Sequence, residues 1–200
     1  MGQYPIFTIT TVAMFKTRVE RSIIDYILFL KGMAKSDSFF IRASVDFNGS
    51  TFTQTAIDLG AYVDALGKSV LRIHNIAVQW GRPTETPNES GNNLHISNCY
   101  QLTTQSQSVM VDIDDKSVIA SGRLQLHTGG TGEVTQVNDY ADLSPQQWTQ
   151  GYLVGVEQIY LAVDSTSSNN MNISECSIVL ECTVETLSQS AAMALALSQQ

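Results

Sequence analysis

The chain has 200 residues, enough for one domain with a sizeable core; its 43% hydrophobic content excludes wholesale disorder, and no run approaches the ~20 apolar residues of a membrane span. Charged residues are only 15%, below the ~25% usual in soluble domains, which leaves a surface rich in Ser, Thr, Asn and Gln and little self-repulsion. The net charge of −8 argues against strong direct nucleic-acid binding, which needs a basic footprint.

The first segment, "PIFTITTVAMF", is strand-like, and a helix follows it. Thr17-Arg-Val-Glu20 fits a capping box, and no proline interrupts residues 18–35. At 100° per residue Val19, Ile23, Tyr26, Ile27, Leu30, Met33 and Ala34 share one face, while Arg18, Arg21, Ser22, Asp25, Lys31 and Lys35 share the other. Ile24, Leu28 and Phe29 fall outside the apolar stripe, among the polar residues, and mark a second contact. Charge is also uneven: residues 1–42 hold six bases and three acids, net +3, and the remainder five bases and sixteen acids, net −11. Two surfaces facing different environments would account for that split.

Beyond the helix almost everything reads as strand. "SFFIRASVDF" ends at the Asn48-Gly49 turn signal, and "SVLRIHNIAVQW" alternates with a shift of phase near His74–Asn75, as at a β-bulge. In "NLHISNCYQL", Leu94, Ile96, Asn98, Tyr100 and Leu102 alternate; "VMVDI" then places Val109, Val111 and Ile113 on one face before an Asp114-Asp115 turn and "SVIASGRLQLH". Ser144-Pro145 reads as an N-cap with proline at the first helical position, so "SPQQWTQ" is expected as a short helical turn ended by Gly151. "GYLVGVEQIYLAV" and "ECSIVLECTVETL" are two more long strands, and the tail "SQSAAMALALSQQ" is a short helix or an arm laid on a neighbour.

Catalytic and ligand motifs are weak. "HTGGTGE", His127–Glu133, looks like a phosphate loop, but Glu133 stands where the anion would sit, no Lys-Ser/Thr pair follows, and Val134, Thr135 and Val137 favour extended structure over the helix such a loop requires. His74, His95 and His127 have no carboxylate or cysteine at ligand spacing, and are expected to be packed or surface residues. Asp112, Asp114 and Asp115 lack the alternating oxygens and central glycine of a calcium loop. Trp80 and Trp148 are far apart, unlike the clustered aromatics of a sugar-binding face. Cys99, Cys176 and Cys182 form no metal spacing, and Cys176 and Cys182 share one strand face too far apart to bridge, so buried free thiols are expected. Three sequons, at Asn48, Asn88 and Asn172, carry little weight beside an N-terminus without a secretory layout, which points to maturation inside a cell. No catalytic residue, cofactor or metal is expected, and no enzyme.

The expected fold class is all-β, an antiparallel eight-stranded β-sandwich with one N-terminal amphipathic helix. The eight-strand count, the helical insertion "SPQQWTQG" before "GYLVGVEQIYLAV", and the extra terminal segments resemble the single jelly-roll capsid proteins of icosahedral viruses. The resemblance implies a terminal arm and helix over 1–38, a jelly roll of two four-stranded sheets over 39–187, and a tail over 188–200. It implies a self-assembling shell subunit in a virion, made in the host cell cytoplasm. Capsid proteins that wrap naked genomes commonly carry a strongly basic arm; the +3 helical segment departs from that pattern and leaves room for other capsid proteins or an inner membrane beneath the shell. Two other classes compete: a carbohydrate- or receptor-binding sandwich, with clustered aromatics on a concave face, and a cupin-like enzyme, with two or three histidines converging inside the barrel.

The helix supplies the sharpest expectation. Burying Val19, Ile23, Ile27 and Leu30 is worth ~1.5–3 kcal/mol each, which fixes that stripe against the domain. Ile24, Leu28 and Phe29 then face a neighbouring subunit in preference to anionic lipid, because Asp25 lies on the same side. Changing Leu28 and Phe29 together to serine is expected to leave the circular dichroism spectrum intact and weaken assembly; unfolding of the double variant would place both side chains in the domain's own core.

Overall fold

The computed structural model describes residues 35–47, 50–64, 67–85, 95–128, 134–137, 147–166 and 173–200. Nine strands lie within them: β1 Phe39–Asp46, β2 Thr53–Asp58, β3 Ser69–Trp80, β4 His95–Thr103, β5 Val118–Thr128, β6 Val134–Val137, β7 Gln147–Val154, β8 Gln158–Ser165 and β9 Glu175–Thr186. One helix, α1 (Gln189–Ser198), closes the chain. Strands β1-β9-β3-β7 form one sheet and β2-β8-β4-β5-β6 the other, with every pairing antiparallel.

The pairing is nested. The first strand pairs with the last, β1 with β9; the second with the second-last, β2 with β8; then β3 with β7, and innermost β4 with β5. Two further ladders, β3–β9 and β4–β8, join these pairs into the two sheets. An antiparallel ribbon doubled on itself and rolled into two sheets is a jelly roll. The extra strand, β6, extends the second sheet by pairing only with β5.

Alternation explains which face each strand buries. From β9, Cys176, Ile178, Leu180 and Cys182 enter the core; β3 supplies Leu71, Ile73 and Ile76, and the facing sheet supplies Tyr100, Leu102, Ile159, Leu161 and Val163. Trp80 of the first sheet meets Tyr100 of the second edge-on at 6.3 Å, with Phe47 edge-on to Trp80 at 5.9 Å. The phase shift expected in β3 is present: Ile73 pairs with Cys182 and Asn75 with Glu181, so His74 is an extra residue bulged out of the ladder.

Several expectations need correction. "VMVDI" is not a strand: it lies in the β4–β5 connection, which folds over the outer face of the second sheet. There the Gln101 amide donates to the Val111 carbonyl and accepts from the Val111 N–H, and the Gln54 side chain accepts from the Gln107 N–H. Gln147–Gly151 of the expected helical turn belong to β7. Gly151 has φ +73°, and a Cβ there would stand 2.7 Å from the Ile73 carbonyl oxygen, so glycine is required where β7 kinks beside β3. "GYLVGVEQIYLAV" is two strands in different sheets, broken at Gly155, where a Cβ would press to 3.0 Å from Leu195 of α1. The strand "TQTAID" was not expected. The tail is a helix, capped by the Ser188 hydroxyl accepting from the Ala191 N–H. The N-terminal strand and helix, Ile24, Leu28, Phe29, the Asn48-Gly49 turn, the glycines of "HTGGTGE" and Ser144–Gln146 lie outside the described residues, although Lys35, the end of the expected helix, sits in an isolated bridge opposite Glu185.

On the outer face of the first sheet Arg72 grips Glu185 with two hydrogen bonds of 2.7 Å, and its guanidinium also donates to the Gln150 carbonyl, tying β3, β9 and β7 together. Glu185 is only 5% exposed. The Arg72 hydrogen bonds hold its carboxyl below the ordinary range, helped by the charges of Arg72, Lys35 and His74 and opposed by burial. Stability from this pair is therefore full above the carboxylate pKa of the unfolded chain, ~4.3, and is lost as pH falls through the lower folded value. Arg72→Ala strands a buried carboxylate, so urea denaturation at pH 7 should show a loss of about 3 kcal/mol. The gap from wild type should narrow towards pH 3; a gap that stays constant would show that the ion pair is not its source.

Candidate functional site

The three histidines test the enzymatic reading. Along β4, Ile96, Asn98, Tyr100 and Leu102 point inward, so His95, Ser97, Cys99 and Gln101 point outward. Along β5, Leu124 and Leu126 point inward and His127 outward. His95 and His127 are register partners, and their rings stack at 4.2 Å with 27° between planes on the outside of the second sheet. His74 belongs to the other sheet, where its Nε2 lies 2.9 Å from the Thr183 hydroxyl on the Arg72–Glu185 face. No set of histidines converges between the sheets, and the cupin-like arrangement fails on geometry.

The stacked pair borders a cleft of about 500 Å³ that also takes in Ser97, Gln125 and Thr166. The cleft lies where β4 begins and β5 and β8 end. Hydrogen-bonding demand there is incompletely met: His127 Nδ1 is buried without a hydrogen-bond partner. On the core side, Asn98 accepts from the Ser165 hydroxyl at 2.8 Å, while its own amide nitrogen is buried and unpartnered.

The acids are absorbed locally. Asp115 accepts from the Ser117 hydroxyl at 2.6 Å and the Ser117 N–H at 2.8 Å, bonds that hold its carboxyl below the usual range and close the turn into β5. Glu85 likewise accepts from the Ser174 hydroxyl, the Arg82 N–H and the Ser174 N–H, joining the end of β3 to the approach to β9 with a lowered pKa. Among the described residues, no three His, Cys, Asp or Glu side chains cluster as metal ligands. The tryptophans form no sugar platform: Trp80 spans the core, and Trp148 packs on Tyr152 at 5.7 Å against it.

What remains is apolar surface. Phe40, Tyr62, Val109, Ile113, Met193 and Leu197 are the exposed large hydrophobic residues among those described. They lie on separate elements: Phe40 on the outward face of β1, Tyr62 in the β2–β3 connection, Val109 and Ile113 in the β4–β5 connection that covers the outer face of the second sheet, and Met193 and Leu197 on α1. Helix α1 is apolar nearly all round: Ala192 and Ala196 are buried, while Met193 and Leu197, one turn apart, are 43% and 66% exposed. The helix is clasped by Gln199, whose side chain accepts from the Gly155 N–H and donates to the Leu153 carbonyl, and whose backbone carbonyl accepts from Thr104 and Gln105. The sequence carried part of this signal in its Ala/Leu-rich tail; Val109 and Ile113 were obscured by their strand-like alternation.

No family model matches the chain, and no curated protein matches it in sequence. Among solved structures it is similar to Desmodium yellow mottle tymovirus, at 10% identity over 75% of this chain and 86% of that one, TM-score 0.27. Two structures of turnip yellow mosaic virus align at 13% identity over 77% and 79% of the chains, and at 12% over 76% and 94%, both with TM-score 0.29. Likeness at those scores bears no weight, and the fold rests on the strand register alone.

All three cysteines are unbridged; Cys176 and Cys182 are buried and Cys99 is half-buried. Burial, with Glu175 and Glu181 respectively adding repulsion, pushes the Cys176 and Cys182 thiols up to about 12. At pH 8 neither is a thiolate, so a thiol reagent should label both only after unfolding, as mass spectrometry of the digested chain can show. Rapid labelling of Cys176 or Cys182 in the folded chain would contradict the inward register of β9.

Proposed function

We propose that the chain is a structural subunit that self-assembles into a virion shell through the end of the jelly roll that carries α1. The observation that carries this reading is the exposure of Met193 and Leu197, one turn apart on a helix whose other side is already packed, with Phe40, Tyr62, Val109 and Ile113 as further exposed large apolar side chains among the described residues. A pair of large apolar side chains left exposed on a helix already packed on its other side suits a protein–protein contact. A surface with few charges lowers the repulsion between packed copies. The jelly roll itself serves lectins and cupins as well as shells, so it is the surface, and not the fold, that favours assembly. The internal placement of Trp80 weighs against a sugar-binding face, and the divergent histidines weigh against a cupin-like enzyme.

Ile24, Leu28 and Phe29 are proposed to join the same contact network, with residues 1–38 acting as an arm. The weak positive balance of residues 1–42 supports a shell whose inner face meets other capsid proteins or a membrane more readily than naked nucleic acid.

Electron microscopy and sedimentation of the purified 200-residue chain test the proposal. Closed shells or regular lattices are expected, and Met193→Ser with Leu197→Ser should abolish or strongly reduce them while the far-ultraviolet spectrum stays β-dominated. A monodisperse monomer across salt and concentration, unaffected by the double substitution, would sink the assembly reading.

A further inference from the structure

The histidine cleft is at the opposite end of the sandwich from α1, and assembly through α1 makes no use of it. We propose that His95 and His127 form a site for one divalent transition-metal ion that prefers nitrogen ligands, with zinc(II) as the reference ion. Directly opposed residues on one face of an antiparallel pair have Cβ atoms about 4.5–5.5 Å apart, which lets two imidazoles reach a common ion at ~2.0–2.1 Å. The register places His95 opposite His127, and the rings are already 4.2 Å apart at their centres. Stacked rings do not yet point at a shared atom, so binding requires each to turn about χ2, and the adjoining cleft of about 500 Å³ leaves room for that turn.

A second, independent observation concerns His127. Its Nδ1 is buried and has no hydrogen-bond partner, an unfavourable arrangement that a metal bond would offset. Chemistry then selects the ion. The described residues lining the cleft include no carboxylate, only the two imidazoles and the neutral side chains of Ser97, Gln125 and Thr166 as polar groups. Magnesium and calcium need charged or carbonyl oxygens and should not bind, whereas zinc, nickel and copper accept imidazole readily. Water fills the remaining positions, as it fills the open position of catalytic zinc sites. Such an ion would cross-brace β4 and β5 at the point where their ladder ends.

The test is calorimetric titration of the tag-free full chain with zinc chloride, and separately with magnesium chloride. Saturable binding of one zinc ion per chain is expected, with no magnesium signal. Loss of even an outer-shell partner commonly costs about tenfold in metal affinity, so His95→Gln and His127→Gln should each weaken zinc binding by at least that factor. His74→Gln, on the other sheet, should leave it unchanged. Because a glutamine variant can lose local structure, the wild-type chain supplies a second readout: zinc should protect His95 and His127, but not His74, from acylation by diethyl pyrocarbonate. Absence of saturable zinc binding, equal losses in all three variants, or protection of no histidine would each overturn the site.

Discussion

Strand β9 is the piece on which the other parts depend. It is the last strand in sequence, yet it lies inside its sheet, paired along its length with β3 and over eight residues with β1. Its inward row of Cys176, Ile178, Leu180 and Cys182 is among the most buried in the molecule, and its outward Glu185 is the anchor that Arg72 grips. The first sheet therefore cannot close until nearly the whole chain is present. Nested pairing makes contacts between residues far apart in sequence, and loop closure must be met before those contacts contribute. A long, continuously alternating strand is what makes that late closure favourable.

The same constraint explains what could be read from the amino acids. Strands that bury one face fully, β3, β4, β5 and β9, announce themselves by period-2 alternation, and the β3 bulge shows as a break in that period at His74. Strand β2 is an edge strand whose only buried side chain is Ile57, so no apolar row betrays it. "VMVDI" has the row but not the ladder: the Gln101 side chain satisfies the Val111 backbone in place of a neighbouring strand. Once that segment is a connection, β4 and β5 become adjacent and the pairing of His95 with His127 follows; read as a strand, it conceals the pair. The break at Gly155 was hidden because the reason for the glycine, Leu195 of α1, lies forty residues further along the sequence.

The two ends of the sandwich have different chemistry. One holds α1 with its exposed Met193 and Leu197 and the Gln199 clasp; the other holds the histidine cleft and the buried Asn98–Ser165 pair. The helix turns Ala192, Ala196 and the partly buried Leu195 towards the domain and leaves Met193 and Leu197 outside. Two large apolar side chains remain on the solvent side of a helix that already has a packed face, which favours a further partner there.

The central claim is that β9 sits between the first strand and the third. The most direct measurement is of backbone nuclear Overhauser contacts from Leu180 in the isotopically labelled chain. The register predicts contacts to Ile41 on one side and to Ile76 on the other. Contacts from Leu180 to one side only, or from β1 to β2 as in a simple meander, would contradict the nested fold.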